Sequence, residues 1–276
     1  QTLEEVTVTA NKVENVKGVQ MGVQALAVED LKTIPTAFGE LDVIKVVQAL
    51  PGVKTMGEAS SGLNVRGGST DQNLIQWNEG TIYNPTHLFG SFSAFNGSIV
   101  QDMELYKGSI PAKYGGRISS VLDINSRRGN KEKYQGEISL GLLTSSLALE
   151  GPIKKGKTSL LLAGRTTYSD WMLNLLPEDS GYKNGKAGFY DANLLLSHQF
   201  GLKDNLYFSG YYSQDRFNFI ENEKYSYATA NASLQWVHLF DDNFRMGTTV
   251  GYDHYDYNTQ NWQNDFDAYQ MGYDIN

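Results

Sequence analysis

The sequence contains no cysteine, which excludes disulfides and thiolate metal sites and leaves an oxidising compartment neither required nor ruled out. It has no run of about 18 apolar residues, so no transmembrane helix is encoded. A barrel escapes that test, because its strands alternate and stay individually inconspicuous. Basic residues are few, 23 Lys and Arg against 31 Asp and Glu, and they form no stripe, so nucleic acid is not an expected partner. No signal peptide reads at Gln1, so an exported protein is expected to have been processed before this numbering begins. Aromatic residues are scarce before residue 130, with three of the 17 tyrosines and one of the four tryptophans. The excess that follows suits a membrane barrel with aromatic girdles, and a soluble β-sandwich shares the preference more weakly.

What is present before residue 130 reads as a small mixed α+β domain. Residues 4–10 are β-prone, with Val6 and Val8 on one face, and polar residues 12–17 offer them no partner strand. Such a segment either opens its own domain or adds to the sheet edge of another protein, where backbone hydrogen bonds give affinity. Residues 19–28 read as a strand interrupted by Gly22, and Asp30 begins a helical turn. Val43, Val46, Val47 and Leu50 follow helical spacing, and Pro51-Gly52 ends that helix. Residues 63–66 and 73–77 alternate as strands, the second turned at Asn78-Glu79-Gly80 by residues suited to positive φ. Gly108, Gly115 and Gly116 lack the strand–loop–helix context of a phosphate loop and suit tight turning instead. Residues 119–125 alternate as a last strand, and 127–133 form a charged linker.

Four segments occur in fixed order here: LEEVTVTA (3–10), ALPGVKT (49–55), LNVRGGSTDQNLIQWNEGTIYNP (63–85) and MELYKGSIPAKYGGRISSVLDINSR (103–127). Together they resemble the plug domain of TonB-dependent outer-membrane receptors, preceded by the peptide that couples those receptors to TonB. The resemblance implies a TonB-box segment at 1–12, a plug at 13–130 and the start of a β-barrel at 131–276. It implies that Glu4, Glu5, Val6, Thr7, Val8, Thr9 and Ala10 bind the TonB C-terminal domain, itself energised by the inner-membrane proton motive force. It also implies that Arg66 and Lys107 face carboxylates on the barrel wall. Two departures from the family pattern stand out: Glu79 inside the usual Asp-Gly turn, and Lys107 where a bidentate arginine would hold more firmly.

The second half reads as long antiparallel strands at 136–150, 159–168, 190–200, 206–215, 225–240 and 244–257, with a seventh starting at 269–275. Leu194, Leu196, His198 and Phe200 share one face, as do Leu234, Trp236, His238 and Phe240, opposite Thr229, Asn231, Ser233 and Gln235. An apolar outer face and a polar inner one suit lipid outside and water inside. Short links at 152–157, 201–205 and 241–243 alternate with longer ones at 169–188, 216–224 and 258–267. Six strands cannot close around a plug, so this stretch is expected to be part of a barrel of about 22 strands. The fold class expected is therefore a mixed α+β plug followed by antiparallel transmembrane β-barrel strands.

No catalytic constellation emerges, so the chain reads as a non-enzyme with no cofactor and no metal. Asp253-His254-Tyr255-Asp256 reads as a solvated strand end, and Asp265, Asp267 and Asp274 as an outward loop with weak calcium character. Tyr83, His87, Phe89 and Phe92 form the candidate ligand surface, in balance with simple packing of that loop on the barrel wall. The family implies active transport of a scarce small-molecule, glycan or peptide ligand, contact with outer-membrane lipid, and a surface lipoprotein as a further partner. A passive pore or scaffold, and a soluble periplasmic sandwich, remain open alternatives.

Overall fold

The computed structural model describes residues 22–27, 41–54, 62–177, 183, 185–220, 223–241, 244–263 and 267–275. The N-terminal elements are β1 (Val23–Ala27), α1 (Val43–Gln48), β2 (Val53–Lys54), β3 (Asn64–Val65), β4 (Asn73–Trp77), β5 (Gly80–Thr81), β6 (Thr86–His87), β7 (Phe92–Ser93), β8 (Val100–Tyr106) and β9 (Ser120–Ser126). Five of them form one sheet in the order β1-β8-β9-β4-β5, in which β4 and β9 run parallel and the other pairs antiparallel. The parallel pair requires a long crossover, and β5 to β8 with their intervening turns supply it.

Helix α1 forms where the apolar spacing places it. Val43, Ile44, Val46 and Val47 are buried, and the Asp42 side chain caps the first turn by accepting from the Lys45 amide at 3.0 Å. Burial raises the Asp42 pKa above its usual value, with Lys45 partly offsetting the shift. Gly52, at φ +81°, then turns the chain into β2. Leu50 lies beyond the helix end yet still packs on the core.

The remaining elements build a second sheet: β10 (Gln135–Leu140), β11 (Thr144–Lys154), β12 (Thr158–Thr167), α2 (Asp170–Leu173), β13 (Lys186–Gln199), β14 (Asp204–Ile220), β15 (Glu223–Leu239), β16 (Arg245–Gln263) and β17 (Asp267–Ile275). All eight strands pair antiparallel with their sequence neighbours. β14, β15 and β16 reach 17, 17 and 19 residues, about three times the usual strand length of 5–6. The sheet is a single open layer whose first and last strands each have one neighbour.

Two expectations need correction. Residues 136–150 are not one strand but the hairpin β10–β11, turned where the Gly141 amide donates to the Thr144 carbonyl at 2.8 Å. That turn carries Leu142 and Leu143, so it gives no polar signal. Residues 216–224 and 258–267 are not long links. The β14–β15 ladder continues through Phe217↔Tyr225 to Ile220↔Glu223, and the β16–β17 ladder through Asn258↔Gly272 to Gln263↔Asp267. Polar side chains there sit on paired strands, because the tyrosines and phenylalanines between them still favour the extended backbone. Of the three longer links, only that between β12 and β13 is long.

The face assignment agrees with the alternation. Leu194, Leu234, Trp236, Phe200 and Phe240 point outward and are exposed, whereas Thr229, Asn231 and Ser233 are buried against the N-terminal domain. A sandwich would bury the apolar face, which here is bare. The N-terminal core continues into the wall: Trp77, Phe95, Leu122 and Ile124 share one cluster with Ala148, Leu161, Ala163, Leu195 and Tyr211.

Within the N-terminal sheet, Asp123 is buried and accepts from the Tyr114 hydroxyl at 2.6 Å. Burial raises its pKa above the usual 3.8, and the cross-strand carboxylate of Glu104 adds to the rise. An acid whose folded pKa exceeds its unfolded value favours folding below the unfolded value, and that benefit is lost as pH climbs through the folded one. Asp123→Asn keeps an acceptor for Tyr114 and removes the charge. Its thermal midpoint relative to the parent is therefore expected to rise between pH 4 and pH 7, as read by scanning calorimetry at both values.

Candidate functional site at the interface of the two sheets

The hairpin β4–β5 carries the N-terminal domain onto the polar inner face of the long sheet. Asn78 and Glu79 form its turn at φ 48° and 72°, the positive-φ geometry that the sequence of the turn suggests. Asn78 is held from both sides: Oδ1 accepts from the Ser126 amide at 2.9 Å, and Nδ2 donates to Ser209 Oγ at 3.1 Å. Its carbonyl accepts from Ser233 Oγ at 2.7 Å. Glu79 accepts from Gln235 Nε2 at 3.0 Å, so the residue that departs from the family turn reaches the wall. Trp77 Nε1 donates to Asn193 Oδ1 at 3.1 Å, and the Thr81 amide donates to Asp253 Oδ2 at 3.1 Å. A Cβ on Gly80 would overlap the Asn231 carboxamide, which itself donates to Asp253. Asp253 thus lies mid-strand and faces the hairpin, which corrects its reading as a solvated strand end.

A second contact, nearer the end that carries the long β12–β13 link, is made by charged groups. His87 is 1% exposed, and its Nδ1 lies 2.6 Å from Asp215 Oδ2. The other Asp215 oxygen accepts from the Leu88 amide at 3.2 Å. His87 Nε2 lies 3.7 Å from Asp191 Oδ2, and Arg165 donates to that same oxygen through Nε at 2.7 Å. Arg165 Nη2 also donates to the Ser93 carbonyl at 2.7 Å, crossing from the wall to the N-terminal domain. The Phe189 ring stacks on His87 at 4.2 Å between centroids and lies beneath the Arg165 guanidinium at 5.0 Å. Leu88, Phe92, Leu143, Phe189, Phe217 and Tyr227 surround the group with apolar surface. Two acids, one arginine and one histidine therefore sit together in a water-poor seam, where each partner offsets the burial cost of the others.

The residues singled out from the sequence fall in different places. His87 and Phe92 are buried in packing against the wall, which is the alternative weighed against ligand contact. Tyr83 is 38% exposed with its ring 6.1 Å from that of Tyr255, and the Phe89 side chain lies outside the described residues. Arg66 is exposed at φ 49° with its guanidinium beside Gly108. Lys107 Nζ donates to Gln24 Oε1 at 3.0 Å and to the Pro51 carbonyl at 2.9 Å. Neither cation meets a wall carboxylate among the described residues; the ion pair crossing to the wall at this side is Arg127 with Glu150. Residues 4–10 and Asp265 lie outside the described residues, while Asp267 and Asp274 belong to strand β17 rather than to a loop. Among the described residues no group of acids and histidines is arranged to hold a metal ion.

Sequence reasoning missed Arg165, Asp191 and Asp215, and misplaced Asp253 at a solvated strand end. Their only trace is a charged residue at an inward position of an otherwise alternating strand.

Comparison with known proteins places this geometry. Residues 15–121 match the family model described as the TonB-dependent receptor plug domain. The structure is similar to the siderophore receptor PirA from Acinetobacter baumannii, at 15% identity and TM-score 0.67, over 96% of this chain and 45% of that one. It is similar to the siderophore receptor PirA from Pseudomonas aeruginosa, at 16% identity and TM-score 0.64, over 91% of this chain and 43% of that one. It is also similar to the copper transporter OprC, at 10% identity and TM-score 0.62, over 88% of this chain and 38% of that one. No curated protein matches the chain by sequence. Residues 15–121 thus match a TonB-dependent receptor plug domain, and the plug with the antiparallel strands that follow it has the fold of the corresponding part of these receptors. The chain spans less than half the length of these structural relatives.

Two outcomes follow for the seam. Asp215→Asn removes the charge that holds the Leu88 amide and the His87 ring; hydrogen exchange at Leu88 is expected to speed up by roughly 10- to 100-fold, as for loss of a charged hydrogen bond worth about 1.5–3 kcal/mol. Gly80→Ala drives a methyl group into the Asn231 carboxamide and is expected to destabilise the seated hairpin by about 1–3 kcal/mol, read from denaturant midpoints.

Proposed function

We propose that the chain belongs to an active outer-membrane transporter in which residues 13–130 gate a barrel begun by residues 131–276, and in which TonB supplies the pull. The observation that carries this reading is the plug hairpin seated on the polar inner face of strands whose outer face is bare and apolar. Such an arrangement has use only where lipid covers the outside and the plug obstructs the inside. In this reading Glu4, Glu5, Val6, Thr7, Val8, Thr9 and Ala10 add as a strand to the TonB C-terminal domain, powered by the proton motive force. A pulled strand resists through several backbone bonds at once, while the plug's local structure yields first.

The ligand we assign by class only: a small molecule of the metal-chelate type, since the solved relatives carry the names of siderophore receptors and a copper transporter. Among the described side chains of the aromatic loop, Tyr83 is the one that stands open to meet it. Arg66 and Lys107 remain candidates for contact with wall carboxylates on strands outside this chain. A passive pore would share the fold and give residues 4–10 no role.

The decisive test deletes residues 4–10 from the full-length protein in its native membrane and measures ligand binding and ligand accumulation separately. Accumulation is expected to fall to the level of cells lacking TonB while surface binding is retained. Unchanged accumulation would make the barrel a passive pore.

A further inference from the structure

We infer that Asp215, acting with Tyr211 and Arg165, is a positioning residue for the ligand-facing loop of the plug: the wall holds residues 83–94 in a shape that the plug alone does not favour. The inference rests on the reading of Tyr83 and its loop as the surface that meets the ligand, and it concerns how that surface is made.

The loop is a short hairpin. β6 pairs with β7 through Thr86↔Ser93 and His87↔Phe92, and the Ala94 amide closes the base by donating to the Pro85 carbonyl at 2.8 Å. Tyr83 stands two residues before that base, partly exposed. Between the strands the chain turns at Leu88 and Gly90, with φ of 49° and 94°. Glycine takes such an angle freely. For leucine the left-handed region is disfavoured by a factor of roughly five to thirty in population.

The group that holds Leu88 there belongs to the wall. Its amide donates to Asp215 Oδ1 at 3.2 Å, while Oδ2 of the same carboxylate lies 2.6 Å from His87 Nδ1. One carboxylate thus fixes two successive residues at the point where the chain turns. Two more wall side chains take main-chain carbonyls of the same hairpin. Arg165 Nη2 donates to Ser93 at 2.7 Å, and the Tyr211 hydroxyl donates to Ala94 at 3.1 Å. Tyr211 and Asp215 both face inward from β14, so one strand grips the hairpin at its base and at its turn. All three wall residues are at most 5% exposed, and water does not compete for these bonds.

A strained backbone angle persists where its surroundings over-determine it. Here those surroundings are side chains of the other sheet. Unseating the plug takes Asp215, Arg165 and Tyr211 away together and lets Leu88 leave the left-handed region. The surface offered to the ligand therefore exists only while the plug is seated.

Hydrogen-exchange mass spectrometry of the full-length protein in detergent micelles tests this, together with spin-label distances between Ser91→Cys and Val250→Cys, both at exposed positions. No ligand is needed. Asp215→Asn keeps an acceptor for the Leu88 amide and is expected to hold the parental distance. Asp215→Ala removes both acceptors; it is expected to shift the distance and to speed exchange over residues 86–94 by a further factor of about five relative to Asp215→Asn. Exchange in the β4–β5 hairpin is expected to stay at the parental rate in both variants. Adding Leu88→Gly to Asp215→Ala is expected to bring the parental distance back, because glycine holds a positive φ without a partner. A merely structural role would free both hairpins together and would not respond to glycine. That result, or a loop unchanged in Asp215→Ala, overturns the inference and leaves the transporter reading in place. Unchanged accumulation after deletion of residues 4–10 overturns that reading and leaves the dependence of the loop on Asp215 standing.

Discussion

Period-two alternation across strands of up to 19 residues is the constraint on which the rest of the structure depends. Once Tyr211, Ser213 and Asp215 face one way, the register of β13, β14 and β15 forces Asp191, Asn193, Thr229 and Asn231 to the same side. A slip of one residue would turn every one of these groups to the bare face and send Leu194 and Leu234 inward, so the pairing is strongly specified. The plug has a polar wall to dock against because the pattern repeats without interruption from Arg165 on β12 to Asp253 on β16.

The wall and the plug satisfy each other's polar groups. Asn193, Ser209, Ser233 and Asp253 would be poor choices for a dry interior unless something supplied hydrogen bonds, and Trp77, Asn78 and Thr81 supply them. The charged group around His87 follows the same rule at higher stakes. Arg165 bridges Asp191 and the Ser93 carbonyl, so a wall cation is neutralised within the wall and still binds the plug. The plug is therefore registered on the wall by side chains from β12 to β16, with little main-chain pairing between the two sheets.

Much of this was legible in the sequence. Helix α1 followed from the spacing of Val43, Val46 and Val47, the β4–β5 turn from Asn78 and Gly80, and the outward face from Leu194, Leu234 and Trp236. What was not legible has physical causes. The β10–β11 turn is made of Gly141, Leu142 and Leu143, which carry no polar turn signal. The far ends of β14, β15 and β16 are polar because they project past the apolar belt, and polarity in a single strand cannot be told from a loop. His87 looked like a surface aromatic because its partners, Asp191 and Asp215, lie more than 100 residues away.

These two docking contacts differ in what it costs to undo them. The hairpin seam consists mainly of neutral hydrogen bonds, and each is worth about 1 kcal/mol net once water replaces the lost partner. The His87 group is charged and sealed by Phe189, Phe217 and Tyr227, so separating it exposes charges that have no hydration until water enters. Water reaching the seam from the hairpin side would therefore release Asn78 and Thr81 well before His87. The order of release is set by the desolvation of four side chains, not by the number of contacts each seam makes.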